Sequence, residues 1–135
     1  MSISTIVKEV LTHREEVTVA YLFGSTVKGY ASEKSDIDIG LVLKRKFEPD
    51  AFYSAKLAGE IEKRMGGNRE IDLRILNNQS PRFVYQVIKE GRVIFCRDEE
   101  ERVAFETSVT KEYLDFKPFY EEYDRVRRKR ILTSS

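Results

Sequence analysis

The sequence predicts an α/β (α+β) fold with a single mixed sheet of about four strands, helices mainly on one face of that sheet, and a long C-terminal helix. Two observations predict this class. Segments rich in β-branched or alternating apolar residues are separated by segments whose apolar residues recur at helical spacing. The last third of the chain then shows helical spacing alone. In 135 residues we expect one domain, with a core at about residues 1–97 and a helical extension at about 98–132.

The chain begins with a predicted helix followed by a predicted buried strand. Apolar residues at helical spacing place the helix over about residues 2–14. Residues 17–23 form a β-branched and aromatic run that is typical of a strand buried on both faces. Gly24 ends this strand, and residues 25–30 have room for one or two helical turns.

The middle of the chain predicts two further strands around a helix. Residues 36–43 and 70–76 each alternate, so that apolar side chains line one face and aspartates lie on the other. Pro49 is a favourable first residue for the helix between them, whose apolar stripe runs from Phe52 to Met65. Gly66 and the residues after it end that helix.

The C-terminal part predicts a helix, a short strand and then a long helical segment. Pro81 opens a helix that ends at Gly91, and residues 92–96 form a short apolar strand. Over about residues 98–130 the pattern fits one long helix, or two helices bent at Pro118.

Composition argues against several classes of protein. The 24 basic and 23 acidic residues leave a formal net charge of +1, so we expect no global attraction for nucleic acid and no nucleic-acid partner. Cys96 is the only cysteine, which excludes an internal disulfide and predicts a cytoplasmic protein. The sequence predicts neither a signal peptide nor a membrane span.

Three aspartates form the clearest candidate site. Asp36 and Asp38 lie two residues apart on a predicted strand, and Asp72 lies on the polar face of another. Close carboxylates repel each other unless a cation relieves them, and hard oxygen ligands suit Mg²⁺ or Mn²⁺. A site for two metal ions is therefore predicted, and it requires the opposite face of the sheet to carry most of the helices. The alternative is that Asp36 caps a turn and Asp38 is a solvated charge on an edge strand.

The turn before these aspartates is suited to phosphate. Gly24 lets a phosphate approach the backbone, Ser25 offers a hydroxyl and an N–H, and Lys28 lies about one helical turn further on. The alternative is a strand-to-helix turn capped by serine. A Walker A loop is excluded because Tyr30 and Ala31 stand where it needs Lys and Ser or Thr. An EF-hand is excluded because the glycine falls at the wrong position and no glutamate closes the loop.

Taken together, these residues resemble a known family. Gly24-Ser25, followed after ten residues by Asp36-Ile37-Asp38, matches the signature of the DNA polymerase β-like nucleotidyltransferase superfamily, with Asp72 as the third carboxylate. The short chain and the segments Gly-Ser-Thr-Val-Lys-Gly and Ser-Asp-Ile-Asp resemble its minimal nucleotidyltransferases, the antitoxin partners of HEPN-domain ribonuclease toxins. The resemblance spans roughly residues 17–75.

The resemblance implies a nucleotidyltransferase fold and a metal-dependent transfer of AMP from ATP to a hydroxyl of a partner protein, expected to be a tyrosine. Two Mg²⁺ ions, with Mn²⁺ as an alternative, and ATP as substrate are implied with it. It implies three residues that are both catalytic and metal-binding: Asp36, Asp38 and Asp72. It implies four nucleotide-binding residues: Gly24, Ser25, Lys28 and Ser35.

The expected partner is a HEPN-type toxin, and two alternatives stay open. The chain is either a non-catalytic antitoxin that neutralises its toxin by contact, or a transferase acting on a small molecule or RNA. The last helix carries an aromatic seam formed by Tyr113, Phe116, Tyr120 and Tyr123. This seam either packs on the chain's own sheet or first helix, or binds a partner or a second copy of the chain. The basic run at residues 125–130 either contacts RNA phosphates or, as we favour, suits the C-terminal end of a helix dipole without any ligand.

Overall fold

Two pairs of helices flank one four-stranded sheet in the computed structural model, which describes residues 2–24 and 36–133. The first half contains α1 (Ile3–Thr12), β1 (Val17–Phe23), β2 (Ile37–Leu43) and α2 (Tyr53–Arg64). The second half contains β3 (Ile71–Ile75), a 3₁₀ turn (Leu76–Asn78), α3 (Pro81–Glu90), β4 (Arg92–Cys96) and α4 (Glu99–Thr133). The short helix predicted at residues 25–30 lies outside the described residues.

The sheet is mixed, with the strand order β3-β2-β1-β4. β1 pairs antiparallel with both β2 and β4, whereas β2 and β3 run parallel. Parallel neighbours need a crossover connection, and α2 supplies it. The predicted mixed sheet of four strands is confirmed, and the two strands that carry the aspartates are neighbours in it.

The apolar core lies on both faces of the sheet. α1 and α2 cover one face, where they pack on side chains from all four strands. α3 and the first part of α4 pack on the other face against Val19, Tyr21 and Val42. The prediction that the helices lie mainly on one face is therefore wrong. β1 carries bulky apolar side chains on both faces. Each face stabilises the fold only when a helix removes its side chains from water.

α2 begins later than predicted. Pro49 is not its first residue, because residues 50–53 form a turn instead. The Asp50 side chain accepts a hydrogen bond from the Phe52 N–H at 2.8 Å, and the Asp50 carbonyl accepts one from the Tyr53 N–H at 3.2 Å. Phe52, which was predicted on the buried stripe, is consequently 68% exposed.

α4 is a single helix that continues through Pro118. The Asp98 carboxylate caps its first turn by accepting a hydrogen bond from the Glu100 N–H at 2.9 Å. Proline removes a backbone donor, but here water can solvate the freed carbonyl, because from residue 114 to 133 only Tyr120 and Asp124 are partly buried. Over the described residues, no helix combines the length and the apolarity needed to cross a membrane.

Candidate functional site

Asp38 and Asp72 lie side by side on the parallel strands β2 and β3, where the register pairs their Cα atoms. Their neighbours along each strand are buried under α1 and α2. Strand alternation therefore turns both carboxylates to the opposite face of the sheet. Both residues are only partly buried, so the carboxylates are open to a ligand.

Two hydrogen bonds hold the beginnings of these strands together. The Ile37 N–H donates to the Glu70 carbonyl at 2.9 Å, which sets the register of β2 on β3. The Ile71 N–H donates to the Glu62 carboxylate at 2.8 Å, which ties β3 to α2. The positions of the two aspartates thus depend on the sheet and on the crossover helix, and both are rigid elements.

Gly24 lies directly against Asp38. β1 pairs Phe23 with Asp38, so the chain turns at Gly24 beside the Asp38 carboxylate. Gly24 has a φ of 76°, a left-handed conformation that favours glycine. A Cβ atom at this position would overlap the Asp38 Oδ2 atom and would lie 3.1 Å from the Cγ atom. Glycine therefore suits both the left-handed turn and the position that the Asp38 carboxylate occupies here.

The two negatively charged carboxylates repel each other, and the positive charge of Arg74 partly offsets this repulsion. Burial, and then the charge of Asp72, raise the pKa of Asp38 above its ordinary value, while Arg74 opposes that rise. The Arg74 Nη2 atom lies 3.5 Å from the Asp72 Oδ2 atom, and its guanidinium lies 5.4 Å from the centre of the Phe83 ring. Phe83 in turn makes an edge-on contact with Phe23, with ring centres 5.7 Å apart.

The donor set fits a magnesium ion that shares its ligands with a substrate. Mg²⁺ is usually bound through one or two carboxylates together with substrate phosphates, rather than by a cage of protein ligands. Asp38 and Asp72 supply such a pair, and a divalent cation would relieve their repulsion. Asp36 lies at the exposed start of β2. In residues 2–24 and 36–133, no three His, Cys, Asp or Glu side chains converge on a common metal position.

Of the predicted nucleotide-binding residues, Gly24 is placed at the site, whereas Ser25, Lys28 and Ser35 lie outside the described residues. A cleft of about 160 Å³ opens beside Gly24. It is lined by Phe23, Gly24, Phe83, Gln86, Val87 and Glu90. Ligand pockets usually enclose some 300 Å³ or more, so this cleft has room for part of a nucleotide only.

Arg74 and Phe83 are the residues that sequence reasoning did not assign to the site. Arg74 could have been found, because it lies two residues after Asp72 and therefore on the same face of β3. Phe83 has no such signal. Its position beside Phe23 depends on the packing of α3 against the sheet, which no local pattern specifies.

Comparison with known proteins identifies the fold. A family model described as polymerase beta nucleotidyltransferase matches residues 6–100. No curated protein sequence is significantly similar to the chain. The structure resembles a chain in a crystal structure of a toxin–antitoxin with AMP-PNP, with a TM-score of 0.75 and 21% sequence identity over 92% of this chain and 98% of that one.

Two further solved structures share the fold. One is a tri-AMPylated Shewanella oneidensis HEPN toxin in complex with MNT antitoxin, with a TM-score of 0.71 and 19% identity over 93% of this chain and 96% of that one. The other is the toxin–antitoxin MntA–HepT, with a TM-score of 0.70 and 19% identity over 93% and 97% of the two chains. In each case the alignment covers more than nine-tenths of this chain, so it includes at least part of α4.

Proposed function

The chain belongs to the polymerase beta nucleotidyltransferase family, and we propose that it is an antitoxin that transfers AMP from ATP to a tyrosine hydroxyl of a HEPN-type toxin. The Asp38–Asp72 pair against the Gly24 turn carries this proposal. Structures of the same fold support the nucleotide and the partner, since one contains AMP-PNP and another an AMPylated HEPN toxin with its MNT antitoxin.

In this proposal Asp38 and Asp72 would hold the metal, and Asp36, immediately before β2, would contribute a third carboxylate. A bound Mg²⁺ supplies charge neutralisation and orientation of the phosphate oxygens. The Gly24 turn lets the phosphates approach the backbone, and Ser25, Lys28 and Ser35 bind the pyrophosphate end of the nucleotide. The site then sets the α-phosphorus in front of the two carboxylates.

The reaction is an in-line displacement at that phosphorus. The acceptor oxygen forms a bond to the α-phosphorus, the bond to the oxygen bridging to the β-phosphate breaks, and pyrophosphate leaves with the electron pair. The hydroxyl proton moves to a carboxylate, a role we give to Asp72, whose side chain is 40% exposed. Arg74, 3.5 Å from Asp72, keeps that carboxylate oriented.

A labelling experiment tests the proposal. The full chain is incubated with labelled ATP, Mg²⁺ and the protein encoded by the adjacent gene. We expect label on a tyrosine of that protein with wild type and none with Asp38→Asn, which preserves the side-chain shape and removes its charge. Equal labelling by both would show that the Asp38 carboxylate is not catalytic.

A contact-only antitoxin is the second candidate. It is favoured by two observations: among the described residues no three acidic, His or Cys side chains converge on one metal position, and α4 carries exposed apolar side chains. An Asp36→Ala/Asp38→Ala double variant distinguishes the two, with its fold checked by circular dichroism. Under the catalytic proposal this variant no longer neutralises the toxin in cells, whereas under the contact-only alternative it still does.

A further inference from the structure

A cleft of about 510 Å³ opens between α4 and the end of β2. Small organic ligands usually occupy clefts of roughly 300–1,000 Å³, so this one has room for a whole ligand, unlike the cleft beside Gly24. The residues that matter for its chemistry are Thr18, Val42, Lys44, Arg45, Glu101 and Phe105.

The cleft lies on the same face of the sheet as Asp38 but is separate from the candidate site. Val42 follows Asp38 by four residues on β2, so the two side chains share a face and lie roughly 13 Å apart along the strand. Leu76 packs over the strand between them, because its two Cδ atoms would lie 3.0 Å from a Cβ atom added at Gly40. A ligand in this cleft is therefore not a ligand of the carboxylate pair.

The gap exists because α4 packs mainly on α3 rather than on β2. Tyr113 of α4 stacks on Tyr85 of α3 with ring centres 4.1 Å apart. Arg82 of α3 donates a hydrogen bond to Asp124 at 2.6 Å and lies 5.4 Å from the centre of the Tyr120 ring. The predicted aromatic seam is therefore split between α3, which was not among the predicted surfaces, and water. These contacts hold α4 beside α3, and its first turns form one wall of the cleft.

Thr18 brings a buried hydroxyl without a partner to the lining of this cleft. The register of β1 on β2 shifts between Val17 and Val19, so Thr18 is the extra residue of a β-bulge, a feature that often redirects a side chain. Thr18 is 4% exposed, and its hydroxyl forms no hydrogen bond with the described residues. The two buried tyrosines, by contrast, each donate their hydroxyl to a glutamate, at 3.0 and 2.7 Å. The Thr18 hydroxyl is thus available to a ligand that enters the cleft.

Two cations line the cleft where β2 ends. Lys44 and Arg45 are both exposed, and in the part of the chain that the structure describes neither pairs with a carboxylate. Glu101, on α4, is the acidic residue of the described lining. Val42 and Phe105 belong to the apolar cluster on this face and supply an aliphatic and an aromatic surface. A lining with a net positive charge and an apolar floor suits an anionic group on an apolar body.

We propose that this cleft binds a small organic anion, a phosphate or carboxylate attached to an aromatic or aliphatic body. Lys44 and Arg45 pair with the anionic group, and the body packs on Val42 and Phe105. The Thr18 hydroxyl bonds a polar atom of the ligand and so gains the partner that the fold does not provide. The proposal needs neither a metal ion nor AMP transfer, so it stands or falls independently of the proposed function.

Fluorescence titration of the full chain with anilinonaphthalenesulfonate, a small aromatic anion, tests the proposal. EDTA in the buffer keeps divalent metal out of the candidate site. We expect one saturable probe per chain, and about tenfold weaker binding of the uncharged phenylnaphthylamine, since the loss of one charged contact has an effect of that size. Displacement by naphthyl phosphate or by naphthoate then distinguishes a phosphate from a carboxylate ligand. Equal binding of the charged and uncharged probes, or displacement by neither competitor, overturns the proposal.

A matched pair of double variants locates the bound probe. Lys44→Ala/Arg45→Ala removes the cations of the cleft, whereas Lys129→Ala/Arg130→Ala removes the same two residue types from exposed positions near the end of α4. We expect the first to weaken binding about tenfold and the second to leave it unchanged, although both remove the same charge. Glu101→Gln should strengthen binding about twofold, because it removes an exposed carboxylate that repels the anion. Two double variants that bind alike would refute the proposal.

Thr18→Val gives two readouts of opposite sign. Valine keeps the branched shape and lacks the hydroxyl, so the variant should raise the urea midpoint of unfolding while it weakens probe binding about fivefold. A lower midpoint would show that the hydroxyl has a partner within the fold, which contradicts the proposal. Ala104→Phe is a further variant, at an exposed position that lines the cleft. Its ring should fill the cleft and abolish probe binding with the midpoint unchanged, and wild-type affinity in this variant would place the probe elsewhere and overturn the proposal.

Discussion

Replacing Gly24 with alanine is expected to lower both the stability of the fold and the rate of AMP transfer. A control variant separates these two effects. At a φ of 76° an added Cβ costs about 1 kcal/mol, because L-residues are disfavoured in the left-handed region. The new Cβ also overlaps the Asp38 Oδ2 atom. That atom is the end of a side chain, so the carboxylate can rotate away at little further cost. The expected loss of stability is thus about 1 kcal/mol, or a fall of about 4 °C in Tm.

Gly67 provides a matched control. It has a φ of 74°, and an added Cβ there meets no atom within 4 Å. Gly67→Ala should therefore lose the same stability without moving Asp38. We expect Gly67→Ala to keep the wild-type rate of AMP transfer, whereas Gly24→Ala should lose about 100-fold, because a small displacement of a catalytic group has an effect of that size.

Two measurements check this prediction: urea unfolding for stability, and pyrophosphate release in the presence of the partner protein for activity. We expect similar midpoints of unfolding and different rates. Two variants that are equally active would contradict this expectation, because the contact between Gly24 and Asp38 would then have no part in the reaction.

Three further predictions follow from the same contacts. Asp38→Asn should raise the urea midpoint in the presence of a chelator, because it removes a half-buried charge that Asp72 repels, while transfer is lost; a lower midpoint would contradict the repulsion. Tyr113→Ala should destabilise the fold by about 1 kcal/mol or more, because it removes the stacking on Tyr85. Tyr123→Ala removes an exposed side chain of α4 and should leave the urea midpoint of unfolding unchanged at micromolar protein concentration. Chelation of divalent metal should abolish transfer without unfolding the protein, which a parallel activity and circular dichroism measurement checks.

Local sequence patterns predict much of this fold because the strands differ in how they are buried. The run at residues 17–23 is apolar except for Thr18 and forms the central strand β1, with a neighbour on each side. The alternation in β2 and β3 is also local, and it places Asp38 and Asp72 on one face before their register is known. The pairing of the two carboxylates is thus predictable from the sequence, although their roles remain predictions.

Arrangements that depend on packing between distant segments are not predictable in this way. The burial of β1 on both faces implied helices on both sides, yet the expectation of an open metal site favoured one side. The structure satisfies both requirements, because α3 and α4 cover Val19, Tyr21 and Val42 while the aspartates lie at the other end of the same face. The start of α2 was missed for a different reason, since the Asp50 turn competes locally with the helix that Pro49 could have opened.

The central claim is that the Asp38–Asp72 pair catalyses transfer of AMP to a partner protein. Intact-mass spectrometry tests it most directly, on the protein encoded by the adjacent gene, after incubation with the full chain, ATP and Mg²⁺. The predicted result is a mass increase of one or more adenylyl groups with wild type and an unchanged mass with Asp38→Asn. An unchanged mass with the wild-type chain, while that chain still binds and neutralises the partner, would contradict the claim and leave contact as the mode of neutralisation.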